Sequence, residues 1–177
     1  LQSIRIAQSR PALQLLILTA VRPGNIRKAH WDQFQELHSS KPTWVIPAVQ
    51  MKKARDHLVP LSHQAVELLK SIHAHEWGDK FLFPGEKGTG LSNGTFKRQL
   101  SLLGYSPEKV HPHGFRSTFS TYANESGLWN RDAIEWVLAH VEANEVRAAY
   151  NRAEYLEERR KILQWWADEL DALEGNS

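Results

Sequence analysis

"TWVIPAVQMKKARDHLVPLS", residues 43–62, is the part of this chain that does not read as helix. Trp44 to Ile46 and His57 to Val59 are short runs rich in β-formers, on either side of a basic middle segment. That pattern predicts a small antiparallel sheet. Ser62 then reads as the N-cap of a helix whose body runs from Gln64 to His75. Upstream, Ala12 to Ala20 reads as a buried helix that ends before Arg22-Pro23-Gly24, where the Pro-Gly pair forces a turn. Downstream, residues 85–94 form a loop rich in Gly, Ser and Asn, without a Walker or dinucleotide phosphate-binding fingerprint. Helices are expected near 95–103, 113–126, 131–139, 143–152 and 154–173. The fold class is therefore mainly α with a small antiparallel β-sheet (α+β).

The chain has 177 residues, which suits one domain with a core that needs no staples. It contains no cysteine, so neither a disulfide framework nor a thiolate zinc site can form, and a reducing, cytosolic setting is expected. It opens LQSIRIAQSRPALQLL, without an initiator Met, a secretory pattern or an apolar run long enough for a bilayer, and is expected to be an excised domain of a larger protein with no membrane partner. The net charge is only +2, but its distribution is uneven. Residues 1–60 carry nine Lys and Arg against three Asp and Glu, residues 61–120 seven against five, and residues 121–177 six against twelve. A basic end of this kind can meet a polyanion, and an acidic end faces protein or solvent.

Several polar residues are not explained by periodicity. Arg22 sits in the turn after an apolar helix, in "LTAVRPGNIRKAHW" (18–31), where Gly or Asn would be the usual helix terminator. In "HPHGFRSTFSTYANESG" (111–127), His113 and Arg116 are three apart and share a face if a helix begins there. Lys52 and Lys53 lie on or near the sheet turn. His140 and Tyr150 fall in "LAHVEANEVRAAYNRAEYLEERR" (138–160). Each has an ordinary explanation: a snorkelling Arg, an ion pair at a helix start, a solvated edge charge, a packed Tyr. Together they form a set suited to gripping a phosphodiester, with forked cations for the nonbridging oxygens, a mobile acid and a nucleophile. Phosphoryl transfer leans on positioning and charge neutralisation, which Arg and His can supply without an obligatory metal.

The order of these residues resembles the catalytic domain of the tyrosine recombinases. "QMKKARDHLVPLS", "FLFPGEKG", "HGFRSTFSTYANE" and "VRAAYNRAEYLEERR" are similar to segments of the integrases of temperate phages and genomic islands. The resemblance implies the DNA breaking-rejoining fold over residues 1–177, with 153–177 as a C-terminal helical tail and the N-terminal DNA-binding domains lying outside this chain. It implies that Arg22 and Arg116 bind the scissile phosphate, that Tyr150 attacks it, and that Lys52 protonates the leaving 5′ oxygen. His113 and His140 complete the phosphate pocket and assist proton transfer. The product is a 3′-phosphotyrosyl linkage, reversed when a 5′ hydroxyl of a partner strand attacks, so neither ATP, a metal nor another cofactor is implied. The implied partners are double-stranded attachment sites, a homotetramer of the full-length protein on DNA, and accessory DNA-bending or directionality proteins. The implied location is the bacterial cytoplasm, on the nucleoid.

Two positions depart from the simplest reading. Family members usually carry an acid three residues after the first arginine, and this chain has Asn25. Lys52 and Lys53 are adjacent, and strand alternation sends them to opposite faces; the hairpin match favours Lys52 in the pocket, with Lys53 and Arg55 as contacts to the DNA backbone. The apolar positions 155, 156, 162, 163, 166, 170 and 173 have roughly helical spacing, which points to core packing, with docking onto a neighbouring protomer as the functional alternative. A helix-turn-helix regulator gives no reason for Arg22, His140 and Tyr150 to occur together, and a type IB topoisomerase would share the chemistry on one duplex. A His-based metallohydrolase around His73/His75 or His111/His113 lacks a supporting carboxylate set.

Overall fold

The computed structural model describes residues 2–52, 55–75, 77, 80–85, 88–140 and 155–175. The expected helix over 143–152, with Tyr150, and the expected backbone contact Lys53 lie outside the described residues.

Among the described residues, seven helices surround one small sheet: α1 (Gln2–Thr19), α2 (Pro23–Arg27), β1 (Phe34–Gln35), β2 (Thr43–Ile46), β3 (His57–Pro60), α3 (His63–Ala74), α4 (Thr95–Leu102), α5 (Gly114–Glu125), α6 (Arg131–Val137) and α7 (Leu156–Gly175). The sheet is antiparallel in the order β1-β2-β3, with Trp44 opposite Val59 and Phe34 opposite Trp44. This register turns Trp44, Ile46 and Val59 into the core, where each is at most 1% exposed. Trp44 also stacks on Phe34 at 5.1 Å between ring centroids and donates its indole N–H to Gln33 Oε1 at 3.0 Å, so the buried ring leaves no orphan donor.

Ser62 caps α3 as expected, its hydroxyl accepting from the Ala65 amide at 3.2 Å. Helix α7 lays Ile162, Leu163, Trp166 and Ala167 into the same core as α1 and the sheet, as the packing reading of its stripe requires, and Leu173 remains exposed. No helix among the described residues is long and apolar enough to cross a membrane.

Three expectations are corrected. The first helix begins at Gln2 rather than near Ala12, with Pro11 inside it. The Pro23-Gly24 pair opens the short helix α2 instead of a simple turn, because a proline at the first helical position has its φ preset and gives up an amide that would be unpaired anyway. Lys52 is not on a strand. β2 ends at Ile46 and β3 begins at His57, with a 3-10 turn at Ala48–Gln50 between them, so two-residue alternation does not set the direction of Lys52.

Candidate active site

Two helix ends build the site. A helix that stops in a left-handed residue usually places Gly there, since a Cβ costs roughly 1–2 kcal/mol in that conformation. In this chain α1 and α6 both stop in alanine, Ala20 at φ 51° and Ala139 at φ 50°. The Ala20 amide closes onto the Leu16 carbonyl. At the end of α6 the Ala139 amide bonds the Trp136 carbonyl and the His140 amide the Glu135 carbonyl, the paired closure of a Schellman motif. The chain then emerges with Arg22 just beyond one end and His140 just beyond the other.

Arg116, one turn into α5, joins the two ends. Its guanidinium donates to the Ala20 carbonyl, to the Leu138 carbonyl at 2.6 Å, and lies 3.2 Å from His140 Nε2. Arg22 returns the link, donating to the Ala139 carbonyl at 3.4 Å. Arg116 is 3% exposed, and its Nε is buried without a hydrogen-bond partner among the described residues. Burial, then the charge of Arg22, pulls its pKa down from 12.5 to about 10, with Glu135 working in the other direction. It stays a cation at neutral pH. The Arg22 pKa is lowered by desolvation.

A cavity of about 190 Å³ opens against these ends, lined by Arg22, Lys52, Arg55, His57, His140 and Arg159 among others. The structure thus brings Lys52 to the same hollow as Arg22 and His140, although from a loop rather than a strand. Arg55 lies in that hollow too, its guanidinium 4.4 Å from the centre of the Trp136 ring. His113 occupies the N-cap position of α5, outside the cavity lining and exposed. Partial desolvation, then the charges of Arg116, His111, Arg22 and His140, hold its pKa below the usual histidine value. Asn25 is buried and points its amide at Met51 Sδ, 3.7 Å away, so it brings no charge to the cations.

Sequence reasoning missed four residues of this site. Glu135 accepts from His140 Nδ1 at 3.1 Å. The Trp136 ring has the guanidiniums of both Arg55 and Arg159 over it, 4.4 and 6.0 Å from its centre. Arg159, 2% exposed, donates to the Leu58 carbonyl. His57 is buried beside Arg159, and burial followed by that charge depresses its pKa to about 3, so it is neutral. Some distance away, Arg27, Lys28 and Arg98 line a larger hollow of about 650 Å³ between α2 and α4.

The family model described as the phage integrase family matches residues 2–157. The chain belongs to the phage integrase family. Among curated relatives, the integrase of Enterobacteria phage P4 is 40% identical over 179 residues, which is 92% of this chain and 40% of that protein. The prophage integrase IntA of Escherichia coli (strain K12) is 41% identical over 163 residues, 91% of this chain and 38% of that protein. The chain thus spans about two fifths of the length of these integrases. Two solved structures share its fold. The XerH site-specific recombinase bound to difH substrate in a pre-cleavage complex superposes with a TM-score of 0.62 at 20% identity, covering 83% of this chain and 45% of that one. The XerA recombinase does so at 0.57 and 18%, covering 97% and 59%. The tyrosine recombinase fold expected from the sequence is the fold observed.

Proposed function

We propose that residues 1–177 are the catalytic domain, with residues 153–177 as its helical tail, of a longer integrase that cleaves and rejoins DNA at attachment sites through a 3′-phosphotyrosyl intermediate. The observation that carries this is the meeting of Arg22, Lys52 and His140 at one small cavity, with Arg116 fastened to His140 behind it. Tyr150 is the nucleophile. Arg22 and Arg116 neutralise the nonbridging oxygens, and the unpartnered Nε of Arg116 is a donor suited to one of them. Lys52 gives its proton to the departing 5′ oxygen. His140 completes the phosphate pocket at the cavity wall; His113, at the start of α5 outside that wall, is assigned to the same pocket by the resemblance, and both assist proton movement. The exchange of one phosphodiester for another conserves the bond, so no nucleotide is consumed.

Lys53 and Arg55 are assigned to the DNA backbone near the cleaved bond, and Arg27, Lys28 and Arg98 offer further cations for the duplex. The names of the relatives support a prophage or genomic island as the DNA that is integrated or excised. Assembly as a homotetramer on DNA, help from accessory DNA-bending or directionality proteins, and a place on the bacterial nucleoid in the cytoplasm belong to the same reading.

The test is a nicked attachment-site duplex incubated with the protein and examined for a covalent adduct. Tyr150→Phe removes all adduct and leaves duplex binding nearly intact, because only the nucleophilic oxygen is lost. An adduct with the Phe variant would show that another residue attacks, with Tyr155 the next suspect.

A further inference from the structure

A guanidinium has five N–H donors and no acceptor. With the Arg116 guanidinium 3.2 Å from His140 Nε2, that nitrogen is the acceptor, and the ring proton sits on Nδ1, 3.1 Å from Glu135 Oε2. Carboxylate, imidazole and guanidinium therefore form a chain with one direction, since the partner of one ring nitrogen decides the state of the other. The contact is a product of the helix end: in a Schellman closure the residue after the left-handed position meets the third residue from the end of the helix. That pair is His140 and Glu135. Where such a contact is commonly apolar, this chain has an acid and an imidazole.

The acid matters because the site is crowded with cations. Arg22, Lys52, Arg55 and Arg159 line the cavity and Arg116 lies behind it. Asn25 is neutral, and Asp56, which also lines the cavity, accepts from the Ala48 amide at 2.8 Å. Glu135 is turned to His140, and its charge supports that of Arg116. Both side chains of the Glu135–His140 pair are nearly half exposed, at 44% and 46%. Water screens an attraction at that exposure, so the orienting hydrogen bond outweighs the charge.

We propose that Glu135 is a positioning residue of the active site: through His140 Nδ1 it fixes the ring and its acceptor nitrogen against Arg116, and so the donor geometry that Arg116 offers to a phosphate. This role rests on the recombinase reading. Proton position on His140 is read directly by long-range 1H–15N correlation in the histidine-labelled protein. His140 carries its proton on Nδ1 in the wild type and in Glu135→Gln, whose amide oxygen still accepts, and becomes a mixture of tautomers in Glu135→Ala. The Ala variant slows covalent adduct formation by roughly 10- to 100-fold, the scale found when a metal-bound histidine loses the group that orients it through its second nitrogen. Glu135→Gln recovers most of that loss, and duplex affinity is unchanged in both. In a His140→Ala background, Glu135→Ala has no further effect, because a residue acting through a missing partner has nothing left to act on. Losses that multiply in the double variant, or a His140 ring protonated on Nε2 in the wild type, would overturn the role of Glu135. Wild-type protein that shows the expected tautomer and yet forms no adduct overturns the recombinase reading, and the NMR result keeps the two failures apart.

Discussion

Replacing Arg116 by alanine should damage the fold as well as the chemistry, and the size of the damage follows from what the guanidinium holds. Its loss orphans the Ala20 and Leu138 carbonyls at the two helix ends. A buried acceptor without a partner costs about 1–3 kcal/mol, so two cost about 2–6 kcal/mol. Against this stands the relief of a buried charge. The pKa falls from 12.5 to about 10, and at 1.36 kcal/mol per unit that returns roughly 3 kcal/mol. The space left by the side-chain stem adds a packing cost that favours destabilisation. These two terms leave about −1 to +3 kcal/mol, and the packing cost tips the balance to a net loss of up to about 3 kcal/mol. Arg22→Ala gives the contrast, since among the described residues the Arg22 side chain makes one long bond, to Ala139, and is partly exposed; its loss should stay within about 0.5 kcal/mol. Urea denaturation at equilibrium, extrapolated linearly, measures both. If the two variants are equally stable, Arg116 does not fasten the helix ends, and something else must hold Ala20 and Leu138 in register.

Two further outcomes are expected. Lys52→Ala slows cleavage by about 10² to 10⁴, the worth of a positioned acid, and sulfur in place of the bridging 5′ oxygen restores most of the rate because a thiol of pKa about 8.5 departs unprotonated; equal losses on both substrates would make Lys52 a binding or structural residue. His57, with its pKa depressed to about 3 in the fold and about 6.5 in the unfolded chain, lets the unfolded state bind one more proton between those values. Its contribution is complete above pH ~6.5 and fades as pH falls at up to about 1.4 kcal/mol per unit, so His57→Asn should flatten the acid limb of stability against pH, and an unchanged limb would rule this out.

The parts of the fold legible in the sequence are those where neighbouring residues carry the signal. Trp44 to Ile46 and His57 to Val59 announce strands by composition, and Ser62 announces a helix start by its hydroxyl. Strand β1 is two residues long, too short for any period to be seen. Lys52 is legible as a site residue but its route there is not, because the 3-10 turn at Ala48–Gln50 takes the chain off the strand before the lysine is reached. Arg159 sits in a run of charges, EERRK, that reads as a solvated helix face, and it is buried only because the helix packs beside β3. Glu135 is illegible for a sharper reason. Its contact with His140 spans five residues and exists only because Ala139 is left-handed, a conformation that glycine would have advertised and alanine does not.

Those two left-handed alanines also explain how one arginine can serve both fold and chemistry. Of the five donors on Arg116, one goes to Ala20, one to Leu138 and one faces His140. The Nε donor remains without a partner among the described residues. In the proposed reaction this is a donor that neither carbonyl contact uses, held in place before the substrate comes. Arg22 is the opposite case: among the described residues its side chain makes a single bond, of 3.4 Å, and is partly exposed, so in the proposed reaction it would turn toward the phosphate at little cost. On the recombinase reading, a fixed fork behind the site and an adjustable one beside it divide the task. In the proposed reaction the fixed one would supply preorganised stabilisation of the charge that develops at phosphorus, which is worth most where water is excluded. Two alanines in a glycine conformation cost roughly 1–2 kcal/mol each, and the helix ends they close are the ones that Arg116 and Arg22 bind, which sets the two guanidiniums side by side for the proposed reaction.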